Sequence, residues 1–338
     1  MKRLLLGVAT AAAVLTAPLG WTGEAAAAHQ PNLRNLSGSV KIDGSSTVYP
    51  ITEAVAEEFK KAAPRVNVTV GISGTGGGFK RFAVGETDIS DASRPIKKEE
   101  HDAATANRVE YIEIPVAYDG LSIVVNPKNT WVDKLTLDEV KKIFLADTGV
   151  KTWKDVRPDW PDKPIRIFSP GTDSGTFDYF KEVVAHEKGT SIRADMSVSE
   201  DDNVLVRGVA GDEGAIGFFG VAYYLENKAK LRAVPIDAGK GPIAPTPETI
   251  ENGTYAPFSR PLFIYVNKRA AQRPEVRRFV EFYLEHGPEL AAEVGYVRLP
   301  SEVYDRARAN LASGRTGTQF MDTSTGERIS GPVTEVYK

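Results

Sequence analysis

Three short stretches carry the residue types that could do chemistry. The first is Ser169-Pro170-Gly171-Thr172-Asp173-Ser174-Gly175-Thr176-Phe177. An apolar run, Ile165–Phe168, leads into it, and Phe177, Phe180, Lys181, Val183 and Val184 follow at helical spacing. The loop therefore joins a strand to a helix and offers hydroxyls and unbonded backbone N–H groups at the positive end of a helix dipole, where an anion is favoured. The same residues also suit a plain helix start, with Ser174 or Thr176 as cap and Asp173 complementing the dipole.

The pattern recurs twice. Asp43-Gly44-Ser45-Ser46-Thr47-Val48-Tyr49-Pro50 follows the strand-like Ser39–Ile42 and precedes a helix with Ile51, Ala54, Val55 and Phe59 on one face. Gly74-Thr75-Gly76-Gly77-Gly78-Phe79 follows Val66, Val68 and Val70 and opens another helix. Three such junctions in one chain point to a shared anion site. An oxyanion taken out of water must recover hydrogen bonds on each oxygen, and hydroxyls, N–H groups and a forked guanidinium can supply them. Arg94, in Asp88-Ile89-Ser90-Asp91-Ala92-Ser93-Arg94-Pro95, is the candidate cation. It fits an anion-facing fork held by a carboxylate, or a structural ion pair with Asp91.

Enzyme chemistry finds little support. The four histidines, His29, His101, His186 and His286, sit in polar surroundings, and there is no cysteine. No zinc-protease helix motif, nucleophile elbow or Walker loop occurs, and no cofactor or metal ligand set is expected. A net charge of −3 without a basic run argues against nucleic acid as a partner.

The elements that must position these loops alternate strand and helix from Ser39 to Val116, the signature of a parallel α/β sheet. Glu110–Val116 and Gly120–Val125 read as two strands joined through Ala117-Tyr118-Asp119, Thr136–Phe144 as a capped helix, and Arg260–Val266 as the last strand. Helices are expected over Asn203–Ala210, Pro274–Glu285, Pro288–Val294 and Ser301–Leu311, with an extended or mobile tail beyond Ser313. Lys2 and Arg3, the apolar Leu4–Leu15 and Ala25–Ala28 form a secretory signal peptide over residues 1–28. With no cysteine after it there is no lipid anchor, so a periplasmic or secreted location is expected.

The four motifs around Thr47, Thr75, Arg94 and Ser174, in this order and spacing, resemble the phosphate-binding protein of the bacterial high-affinity phosphate ABC transporter; the resemblance spans residues 40 to about 320. It implies a two-lobed class II periplasmic-binding-protein fold, α/β, with the ligand in the interlobe cleft. Crossovers near 117–120 and 258–262 would divide it into lobe 1 (38–117 plus 262–338) and lobe 2 (118–261). It further implies that inorganic phosphate is held by Ser46, Thr47, Val48, Thr75, Gly76, Gly77, Ser93, Arg94, Asp173, Ser174, Gly175 and Thr176, with Ser45, Asp91 and Asn203 as further candidates. The partner would be a membrane permease, and the receptor a monomer. The chain departs from the family pattern where Pro170 stands in place of an arginine and Ser93 in place of an aspartate. Arg94 is then the candidate for the displaced charge, and Asp173 or Asp91 for the carboxylate that accepts the proton of hydrogen phosphate. Competing readings are a receptor for another tetrahedral oxyanion such as sulfate or molybdate, a secreted phosphatase, and a surface adhesin.

Overall fold

The structure, a computed structural model, describes residues 33–338 apart from 173, 188 and 200. The expected signal peptide and Asp173 lie outside the described residues. β-Branched runs build the first unit: β1 (Ser37–Gly44) and β2 (Arg65–Ile72) pair in parallel along their whole length. Between them α1 (Tyr49–Ala62) starts with a proline in its first turn and buries Ile51, Val55 and Phe59. The second loop opens α2 (Gly74–Ala83), which leads to β3 (Ile89–Ala92) and α3 (Lys98–Ala106).

The remaining strands of the main sheet are β4 (Tyr111–Val125), β5 (Arg166–Pro170), β6 (Ser197–Ser199), β7 (Ala215–Gly220), β8 (Arg232–Ala233) and β9 (Ser259–Asn267). Together they form one nine-stranded sheet in the order β2-β1-β3-β9-β4-β7-β5-β6, with β8 also on β4. The two strands expected over 110–125 are a single one. Residues 111–120 of β4 pair antiparallel with β9, and residues 121–125 pair with β7, so the ladder never breaks at Tyr118-Asp119-Gly120. β4 thus runs from one half of the sheet into the other. Helices α4 (Leu137–Phe144), α5 (Gly175–Val184) and α6 (Asp202–Gly211) pack on the second half, where Phe180 and Phe218 stack with ring centroids 3.9 Å apart.

Two expectations are corrected. Pro274–Glu293 is one helix (α7) with Pro288 inside it, not two. Pro288 cannot donate to the Leu284 carbonyl, but the Arg308 guanidinium, on α8 (Ser301–Ser313), donates to that oxygen at 3.1 Å and keeps it satisfied. The tail beyond Ser313 is also anchored. Phe320, Met321, Val333 and Tyr337 are buried, and the Thr318 hydroxyl and Gln319 N–H donate to Glu113 at 2.6 and 2.8 Å. A segment poor in apolar residues is held by four well-placed ones and by a buried carboxylate.

Candidate functional site

The first loop sits where β1 hands over to α1. Ser45 N–H donates to the Asp91 carbonyl at 3.0 Å, and Thr47 N–H to the Ser45 hydroxyl at 3.1 Å. The N–H groups of Ser46 and Val48 donate to no described residue, so both are available at the start of the helix. In the second loop the Thr75 and Ser93 hydroxyls are 3.1 Å apart, and Ser93 N–H donates to Thr75 Oγ1 at 3.2 Å. Glycine is required just beyond: a Cβ on Gly78 would lie 2.6 Å from Gly44 Cα, so a side chain there would push the first and second loops apart. In the third, Ser174 caps α5 by accepting from Thr176 N–H at 3.2 Å.

The first and third loops meet across the sheet. A Cβ on Gly175 would stand 2.9 Å from Thr47 Cα and 3.2 Å from its hydroxyl oxygen. Ser46 Oγ donates to Asp178, in the first turn of α5, at 3.3 Å. Arg94 lies beside Gly76, whose hypothetical Cβ would be 3.9 Å from the guanidinium.

The carboxylate on Arg94 is Glu100, not Asp91. Its fork binds both Glu100 oxygens at 2.7 and 2.9 Å, because six residues on, the first turn of α3 places that carboxylate opposite it. Asp91 is fully buried near Thr52, with the charge of Asp43 adding to its discomfort. Burial pushes its carboxyl up to about 8, against a lowering contribution from Thr52, so at neutral pH it is mostly the neutral acid. Asn203 is exposed in the first turn of α6, where its N–H donates to Asp201 at 2.9 Å.

The residue that sequence reasoning passed over is Arg260. It opens β9, its register partner on β4 is Asp119, and both are buried. Its guanidinium donates to Thr47 Oγ1 at 3.2 Å, to Glu182 at 2.6 Å and to Asp119 at 3.4 Å, and lies 3.7 Å from the Tyr179 ring centre. Burial disfavours this cation, but Asp119, Tyr179 and Glu182 outweigh it and hold its pKa above the ordinary guanidinium value. Burial pushes Asp119 up to about 6, with Arg260 pulling the other way. Tyr296, from the turn after α7, donates its hydroxyl to the Thr47 carbonyl at 2.6 Å. The signal available for this pair was an acid, Asp119, and a base, Arg260, set in two mostly apolar crossover strands.

Ser93, Arg94 and Arg260 line one cavity of about 590 Å³. The arrangement gathers hydroxyls, two N–H groups without a partner among the described residues and a buried guanidinium around Thr47. That suits binding of an oxyanion; among the described residues no group of histidines and carboxylates is placed to hold a metal.

Residues 24–286 match the family model described as a PBP superfamily domain. The chain is 50% identical over 302 residues to protein SphX of Synechococcus elongatus, covering 88% of each chain. It is 44% identical over 277 residues to the phosphate-binding protein PstS of Staphylococcus saprophyticus, covering 81% of this chain and 84% of that one. The crystal structure of a possible phosphate binding protein from Planctomyces limnophilus superposes with a TM-score of 0.79 at 48% identity, over 83% of this chain and 99% of that one.

Proposed function

The chain belongs to the PBP superfamily, among its phosphate-binding proteins, and on that premise we propose that it captures inorganic phosphate and delivers it to an ABC transporter permease. The observation that carries this reading is the contact of Thr47 with Gly175 and Arg260, which draws a loop hydroxyl, a helix N-terminus and a buried cation together. The two halves of the sheet act as lobes, 38–117 plus 262–338 and 118–261, closing about β4 and β9. The change of β4's partner at Gly120/Leu121 supports that division.

In this reading the Ser46 and Val48 N–H groups and the Thr47, Thr75, Ser93, Ser174 and Thr176 hydroxyls replace the hydration shell of the anion. The Gly76, Gly77 and Gly175 backbones approach it closely. Arg260, held by Asp119 and Glu182, adds the positive charge, and Arg94 flanks the second loop. No covalent chemistry is required, only closure coupled to binding. Export through the signal peptide over 1–28 would place the receptor outside the inner membrane, working as a monomer.

Selectivity rests on a proton. Hydrogen phosphate offers an O–H that a carboxylate accepts, while sulfate offers only lone pairs, and a site built on such a bond rejects the wrong anion by about 10⁴–10⁵. With Asp91 buried near Thr52, Asp173 is the proposed acceptor, and Asp173→Asn is expected to weaken phosphate binding and narrow the gap to sulfate. Calorimetry of the mature chain, stripped of bound anion, tests the whole reading. One phosphate per chain, undisturbed by excess sulfate, is expected; absence of phosphate binding, or equal affinity for sulfate, refutes it.

A further inference from the structure

The C-terminal segment beyond Ser313 reaches the anion site through Glu113 on β4 and Tyr265 on β9, both buried. Glu113 accepts from the Thr318 hydroxyl at 2.6 Å, the Gln319 N–H at 2.8 Å and the Tyr265 hydroxyl at 2.7 Å. The Tyr265 oxygen in turn accepts from Ile96 N–H at 2.9 Å. Ile96 follows Ser93, Arg94 and Pro95, which line the cavity. A continuous row of hydrogen bonds therefore runs from the tail, through the sheet, to the segment that carries Arg94.

That segment is pinned at both ends. Ser93 N–H donates to Thr75 Oγ1 at 3.2 Å and Ile96 N–H to Tyr265, while Lys97 N–H goes to Glu100 at the start of α3. Pro95, between the two pins, has no N–H to give. The Tyr265 ring also meets α2: its centroid lies 4.9 Å from that of Phe79, and the Arg94 guanidinium stands 5.6 Å from the centre of the Phe79 ring. One phenol thus holds the backbone after Arg94 with its oxygen and supports the ring beneath Arg94 with its body. Glu113 orients the phenol. Burial pushes that carboxyl up to about 7 against the pull of its three donors, and its ionised form offers only acceptors, matching them. We propose that Tyr265 is a positioning residue for the anion site, through which the C-terminal segment fixes where Ser93 and Arg94 stand. This rests on the receptor reading, in which Ser93 contacts the anion and Arg94 flanks the second loop.

Tyr265→Phe keeps the ring and removes the hydroxyl, leaving Ile96 N–H without its acceptor. Calorimetry of the mature chain with inorganic phosphate, at pH 8 where Glu113 is ionised, reads this change in the parent, in Arg94→Ala and in Ser174→Ala. Phosphate affinity is expected to fall about fivefold in the parent, the effect of one buried hydrogen bond, and about fivefold again beside Ser174→Ala. Beside Arg94→Ala the fall should shrink to within about twofold, because the group being positioned is gone. A general loosening of the fold would act alike in all three. Equal losses in every background, or no loss in the parent, overturn the proposal. Thr318→Val takes one donor from Glu113, leaves the phenol in place and runs the same cycle from the tail. A loss of about threefold that vanishes beside Arg94→Ala is expected; an unchanged affinity overturns the tail's part. A parent that binds no phosphate overturns the receptor reading and this proposal with it, whereas a parent that binds phosphate and is indifferent to Tyr265→Phe overturns the positioning alone.

Discussion

Replacing Arg260 with alanine tests the arrangement around Thr47 most directly. The change removes the contacts to Thr47, Glu182 and Asp119 and the stacking on Tyr179. Part of the loss is independent of pH: the hydrogen bonds, the ring contact and the cavity together cost about 2–4 kcal/mol. The rest follows Asp119. Its carboxyl is raised by burial to about 6 in the native state, above the ordinary value, so folding takes up a proton and stability falls as pH rises, until it levels off above about 6. Without Arg260 the carboxyl rises further, and the variant keeps losing about 1.4 kcal/mol per pH unit beyond that point. The gap between the two proteins should therefore be narrow near pH 5 and widen through pH 8, as read by urea unfolding at several pH values. Arg260→Ala/Asp119→Asn should remove the widening and leave the fixed offset. A gap of constant size across that pH range, or a double variant that still diverges, would refute the coupling.

Gly175→Val places a branched side chain against Thr47 Cα; phosphate affinity by calorimetry should drop by tenfold or more. An unchanged affinity would mean that the loops need not meet. Asp91→Asn should abolish a fall in stability of about 1.4 kcal/mol per pH unit between its ordinary carboxyl pKa and about 8, seen as a variant that melts higher than the parent above neutrality. Parallel melting curves at all pH values would contradict the burial argument. Tyr337 is fully buried and donates to the Glu113 carbonyl at 3.0 Å, so Tyr337→Ala should cost about 3–5 kcal/mol in urea unfolding; a loss below about 1 kcal/mol would show the tail to be dispensable.

The local chemistry was readable in the chain itself. Hydroxyl and glycine residues between a β-branched run and an amphipathic helix specify a strand, a loop and a helix start wherever they occur, and that logic located Thr47, Thr75 and Ser174 and gave the α/β class. It also gave the capping box of Thr136 and Glu139, whose reciprocal bonds of 2.8 and 3.2 Å lie within three residues. What sequence could not supply was anything decided by distant register. Arg260 and Asp119 are 141 positions apart and become neighbours only because β9 runs antiparallel to β4. Arg94 meets Glu100 instead of Asp91 because β3 points the aspartate into the core under α1. Pro288 fails to break its helix because Arg308, from the next one, reaches the orphaned carbonyl. Propensity and spacing act over a turn or two of chain, whereas charge partners and buried anchors are chosen by whichever segments the sheet brings side by side.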